Sequence, residues 1–325
     1  MSIWLLSAAL LGAPEPGAWK PAEAPPPTPW ALAGARGWRL CQEAERQARA
    51  VRDGEGPRGS ALEGDEGLWR RRAEQCPHAV EVLTLAAQSE IIGASELFSR
   101  IDVDEDDEFG SPTPRLSIDD AMAQYRARVE QALEWLDAAL AESGRRGERP
   151  PRQALYFRAY ALTALGRVEP AREAIEAVIV AQDVERWRSE RMAALVELFA
   201  GDVRAALRRA QRGVVDAPPE DRPISRYIRA LVLDRAGAPD VARAELVALR
   251  DPTTQFARSA MESVLPFHER LFFRALDHQA NGERSPALRL WKAYLARPEP
   301  AEPERVLARR HLDELTPSPA PVGGP

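Results

Sequence analysis

Two cysteines, four histidines and one acidic run are the residues whose types invite chemistry. Cys41 and Cys76 permit a single bridge in an oxidising compartment, tying a helix near Trp38–Ala50 to another near Leu68–Gln75. The equal alternative is two buried thiols acting as small apolar groups. No CxxC motif and no Cys/His spacing offers zinc a tetrahedral site. His78, His268, His278 and His311 are dispersed, and the pair ten apart cannot share a helix face as ligands at i and i+4 do. Asp102, Asp104 and Asp106 alternate like the start of a calcium loop. Asp107 stands where such a loop turns on Gly, however, and Thr113 where it needs a bidentate Glu. The run therefore reads as a solvated loop, with calcium a distant second. GxSxG, HExxH, SxxK and phosphate-cradling Gly loops are all missing from the sequence. The expectation is a chain that is not an enzyme and uses neither cofactor nor metal.

The elements that position everything else lie in the second half. Arg152–Val180 reads as two helices joined at Gly166, with Ala159 and Ala171 where the pair must approach closely. The triplet Ala, Gly seven on, Ala five further returns as Ala194, Gly201, Ala206, as Ala230, Gly237, Ala242, and as Ala275, Gly282, Ala287. The glycines step by 35 (201 − 166), 36 (237 − 201) and 45 (282 − 237). Small side chains let antiparallel helices come together. A glycine supplies the left-handed residue that ends the first helix. Pro170, Pro239 and Pro286 fit the first turn of a second helix, and Pro218, Pro252 and Pro298 mark unit ends. Apolar residues on the second helices (Ile175 and Val178, Leu207 and Ala210, Leu246 and Leu249, Trp291 and Tyr294) supply the stripe to be buried.

This frame resembles the tetratricopeptide repeat (TPR) family, whose helix–turn–helix unit has a period near 34 residues, over about Arg152–Arg297. The resemblance implies an all-α, right-handed solenoid of helical hairpins that binds a protein or peptide and needs no cofactor. It also implies that outward residues of the first helices line a concave partner groove. Carried onto this chain, that groove comprises Tyr156 and Tyr160; Arg191, Leu195 and Phe199; Tyr227, Leu231 and Arg235; and Phe272, Leu276 and Gln279. The competing reading is that the aromatics and leucines pack between units. Two departures stand out: Gly213 replaces the late Ala or large residue of its helix, and the step of 45 adds about ten residues near Phe256–Phe267. Glu304–Leu315 has the polar-faced pattern of a closing helix.

Ahead of the array, residues 31–150 read as an N-terminal helical cap region holding a degenerate first repeat. Trp38–Val51 is helical, Asp53–Gly67 is a loop, and Ala79–Ile92 is apolar enough to be buried. Ser117 caps a long amphipathic helix that ends at Gly144 ahead of Pro150–Pro151. The array with its closing helix spans 151–316, and residues 317–325 read as a disordered tail. Residues 14–30 form a proline-rich linker.

Residues 1–13 resemble a secretory signal: an apolar run from Ile3 to Leu11, then small residues, with Ala13 the candidate cleavage point. That no Lys or Arg precedes the run counts against export; the run is too short to span a bilayer, so no membrane span is expected in the mature chain. Lysine occurs only at Lys20 and Lys292, so the arginine content reflects genome bias, and a net charge of −6 disfavours nucleic acid as a partner. The expectation is a periplasmic or secreted scaffold of a bacterial envelope. The alternatives are an accessory subunit of an envelope enzyme or assembly machine, or a cytoplasmic adaptor if the leader is not a functional signal.

Overall fold

The structure, a computed structural model, describes residues 34–53, 66–101, 116–181, 185–251 and 254–316. The leader, the proline-rich linker, most of the Asp53–Gly67 loop, the acidic run and the tail lie outside the described residues.

Fourteen α-helices carry the described chain: α1 Gly34–Arg52, α2 Glu66–Gln75, α3 Val80–Glu96, α4 Ile118–Arg145, α5 Arg152–Ala164, α6 Val168–Ala181, α7 Arg186–Phe199, α8 Val203–Asp216, α9 Arg222–Arg235, α10 Pro239–Ala248, α11 Gln255–Ser263, α12 Phe267–Ala280, α13 Arg284–Leu295 and α14 Glu302–Leu315. A single isolated bridge, Ile101 with Leu116, is the only β pairing among the described residues. The fold is all-α.

The four expected hairpins are α5–α6, α7–α8, α9–α10 and α12–α13, each turning at its glycine. At the first turn Gly166 takes φ +72°, which an L side chain rarely adopts. The Arg167 amide then reaches back to Leu162 O (2.8 Å) and the Gly166 amide to Thr163 O (3.0 Å), satisfying carbonyls that the ending helix leaves open. Gly201, Gly237 and Gly282 repeat the geometry. All eight alanines of the repeated triplets are fully buried, so the helices meet where the side chains are smallest. An added methylene there would overpack the contact by about 1–3 kcal/mol.

Ser117 caps α4 as expected, accepting from the Asp120 amide at 3.1 Å. The helix end differs: α4 runs through Gly144 to Arg145, and the left-handed residue is Gly147, φ +65°, with Glu148 N bonded to Ser143 O at 2.9 Å. α3 packs along α4 ahead of the first full hairpin. α1 and α2 add a separate apolar cluster over α3, built on Ala44, Ala48, Trp69, Ala73 and Leu83, and Cys41 and Cys76 are joined there in a disulfide.

The inserted residues have a larger effect than extra length. They form α11, which packs on α9 and reaches across to α3. Ala257, Met261 and Leu265 are buried. The Phe98 and Phe267 rings lie 5.3 Å apart, and Arg297 pairs with Asp119 at 2.5 Å. The fourth hairpin is thereby brought back against the first pair. Arg270 fixes the junction: its Nη1 donates to Ser95 O (2.9 Å), its Nε to Leu265 O (3.0 Å) and its Nη2 to Ser263 O (3.2 Å). This guanidinium is 1% exposed and holds the carboxyl ends of α3 and α11, where the helix dipoles favour a cation.

Candidate functional site

The first helices α3, α5, α7 and α9 stand side by side and form the face on which a groove was expected. Most of that face is filled. Tyr160 donates to Ser263 O at 2.6 Å and lies against the Tyr125 hydroxyl, and burial pushes the Tyr125 pKa well up. Leu195, Leu231 and Leu276 are core residues. Tyr227 is buried, donating to Leu249 O (3.3 Å) and meeting Phe273 edge-on. These five are packed against α11 and the neighbouring helices and present almost no surface.

Phe272, Gln279 and Arg235 are likewise taken up internally, at the junction with the closing helix. Phe272 is wrapped by Trp291 (4.8 Å) and Tyr294 (5.2 Å), and the Arg235 guanidinium lies 3.9 Å from its ring centre. Gln279 accepts from the Trp291 indole (2.9 Å) and donates to Glu314. Arg235 binds Glu269 (2.8 Å) and Glu304 of α14 (2.9 Å). Burial works against its charge, but Glu269, Tyr294, Glu304 and Asp234 outweigh that and raise its pKa. Here α14 supplies the carboxylate that a partner would have brought.

Three expected groove residues keep exposed surface. Phe199 lines a 620 Å³ cleft beside Leu307 of α14. Tyr156 and Arg191 come together in a 340 Å³ pocket at the mouth of the inner face, where α3, α5 and α7 meet. The Tyr156 ring stands edge-on to Phe157 at 5.7 Å. Arg191 packs 5.0 Å over the Trp187 ring, and its Nε and Nη1 are buried without an acceptor. A buried guanidinium N–H left unbonded costs roughly 1–3 kcal/mol, so the arrangement is stable only because the fold imposes it. Gln88, Gln153, Arg188 and Glu185 complete the wall and were missed from the sequence. Glu185 has φ +58°, the only left-handed non-glycine residue described, and holds Arg152 and Arg188 at 3.4 Å each. A charged residue just ahead of a helix gives no sign of that backbone in the sequence.

The histidines stay apart. His78 lies 3.3 Å from Glu142, His278 2.5 Å from Glu283, His268 3.4 Å from Glu269, and His311 3.1 Å from Asp234 while stacking on Trp291. Burial, Arg145 and Arg146 hold the His78 pKa down. Among the described residues no group of three His, Cys, Asp or Glu side chains is placed to hold a metal ion. No described helix is long and apolar enough to cross a membrane.

No protein-family model and no curated protein matches the chain. Among solved structures it is similar to YrrB, described as a TPR protein with an unusual peptide-binding site. That match has 16% identity and a TM-score of 0.33, over 76% of this chain and 98% of that one. It is also similar to a TPR protein from Parabacteroides merdae ATCC 43184, with 15% identity and a TM-score of 0.39, over 85% of this chain and 99% of that one. By its own repeated frame and glycine turns, the chain is an all-α array of helical hairpins resembling tetratricopeptide repeats.

Proposed function

We propose that the chain is a non-enzymatic scaffold that captures a peptide segment of another protein at the mouth of its inner face. One observation carries this reading: Arg191 lines an open pocket beside Tyr156, and its Nε and Nη1 are buried with no acceptor from the chain. A rotation of the Arg191 side chain into the pocket would let a partner's carbonyl or carboxylate accept from it, with an apolar group against Tyr156 and Phe157, and would remove the cost the free protein carries. Arg and Tyr are also the side chains most often found as interface anchors. Most of the remaining inner face is occupied by the chain's own α11 and α14.

The test is to select peptides against the purified protein and compare the binding of Tyr156→Ala/Arg191→Glu with that of the parent. The expected result is at least a roughly tenfold loss, the equivalent of about 1.4 kcal/mol, with an unchanged melting transition. Equal binding would reject the pocket.

The setting we infer is the bacterial envelope. The apolar leader and the Cys41–Cys76 bridge support it, since such bridges persist in oxidising compartments. Residues 1–30 fused to a reporter active only outside the cytoplasm should give signal, and a silent fusion would remove the claim.

A further inference from the structure

A second cleft lies elsewhere, near the array's middle, where two second helices flank a first helix. It is an 840 Å³ hollow between α8, α9 and α10 that shares no lining residue with the Tyr156 pocket. Its floor is apolar: Leu207, Leu233 and Val241, the last 56% exposed. Its rim is cationic. Arg204, Arg208 and Arg212 follow one another at steps of four along α8, so they share a face and span about 12 Å. Arg229 stands on α9 across the cleft.

The charge balance of this hollow is one-sided. Glu245 is its only lining carboxylate, and it is already bonded to Arg229 (2.9 Å) and Arg226 (3.0 Å). Arg212 is held by Glu190 at 3.0 Å. Arg204 and Arg208 are exposed and have no ionic or hydrogen-bonding partner among the described residues. Like charges at i and i+4 cost an isolated helix a few tenths of a kcal/mol, and at Arg204 and Arg208 no ion pair among the described residues offsets this. In a chain of net charge −6 the hollow is a local inversion of sign around exposed apolar surface.

We propose that this hollow docks an acidic amphipathic helix of a partner protein, with carboxylates at helical spacing on one flank and leucine-like side chains against Leu207, Leu233 and Val241. Two features select this occupant. The cations form a row that tracks the length of one helix, which matches charges repeated along a peptide; a single anionic headgroup would call for donors converging on one point. The floor is apolar and runs beside that row, as helix-in-groove recognition requires. The scaffold then carries two docking faces with no lining residue in common, one for each of two segments.

The experiment uses the full chain and a fluorescein-labelled, helix-forming peptide of about sixteen residues, with Glu at every fourth position and Leu one place before each. Anisotropy should report saturable binding that weakens with salt. Arg204→Glu/Arg208→Glu should weaken it about tenfold or more, and a peptide with Lys in place of each Glu should recover binding to that variant. Val241→Asp should weaken both complexes, with circular dichroism confirming the fold. Tyr156→Ala/Arg191→Glu should bind this peptide as the parent does, which separates the two faces. Absence of binding, or equal binding by the Arg204/Arg208 variant, would overturn the proposal. So would vesicles of phosphatidylglycerol that sediment the parent but not that variant while the peptide fails to bind.

Discussion

Two arginines on the same face of the array meet opposite fates. Arg270 is buried and spends its donors on the carbonyls of Ser95, Leu265 and Ser263, closing the far part of the inner face around α11. Arg191 sits at the near mouth with Nε and Nη1 buried and unbonded, over an open pocket. The difference teaches that helix position alone does not make a groove residue. What matters is whether the chain itself supplies a partner for that position, and α11 and α14 do so for most positions away from the mouth, Phe199 beside its cleft excepted.

The strongest way to break this comparison is to cut into the filled part. Phe272→Ala removes a ring enclosed by Trp291, Tyr294 and Arg235, and should cost about 4 kcal/mol in urea unfolding. Tyr156→Ala at the mouth should cost less than about 1 kcal/mol. Similar losses at both sites would erase the distinction. Next in size is Arg270→Met, which removes three buried charge-assisted hydrogen bonds, to Ser95 O, Leu265 O and Ser263 O. It should cost about 3 kcal/mol and raise hydrogen exchange at the end of α3 and throughout α11.

The hairpins were legible in the sequence because their cause is local. Ala159, Gly166 and Ala171 specify a close approach and a turn within a dozen residues, and the frame recurs in register. The filling of the groove was not legible, because its cause is not local. Ser95 and Arg270 are 175 residues apart, and nothing in the Phe256–Phe267 insertion states which face it will cover. A charge flanked by Phe267 and Phe273, three residues to either side, was the available hint that Arg270 is buried. Arg235 was read as a partner contact because its carboxylates, Glu269 and Glu304, come from two helices further along the chain.

A smaller effect tests the frame behind the mouth. Glu190 on α7 is fully enclosed. Burial pushes its pKa up, but the hydrogen bonds from Arg212 and Arg209 prevail and hold it below the usual value. A carboxyl with a folded pKa below its unfolded one stabilises the protein above the unfolded value of about 4.5, and that share is lost as pH falls through the folded pKa. Glu190→Gln should therefore flatten the loss of stability between about pH 5 and pH 3 relative to the parent, by about 1 kcal/mol or less. An unchanged acid limb would mean the arginines do not hold the carboxylate in solution.

The smallest effect carries the sharpest sign. Arg191→Met keeps much of the side chain's length and its cover over Trp187 while deleting two buried donors that have no acceptor. The same exchange that costs about 3 kcal/mol at Arg270 should then leave stability unchanged or raise it by up to about 1 kcal/mol. Peptide binding at the mouth should fall in the same variant. A residue that gains stability and loses binding on removal is held at a cost to the folded state, which is what a site kept for a partner requires. Were Arg191→Met as damaging as Arg270→Met, Arg191 would be a structural pin like its counterpart, and the mouth would be no more open than the rest of the inner face.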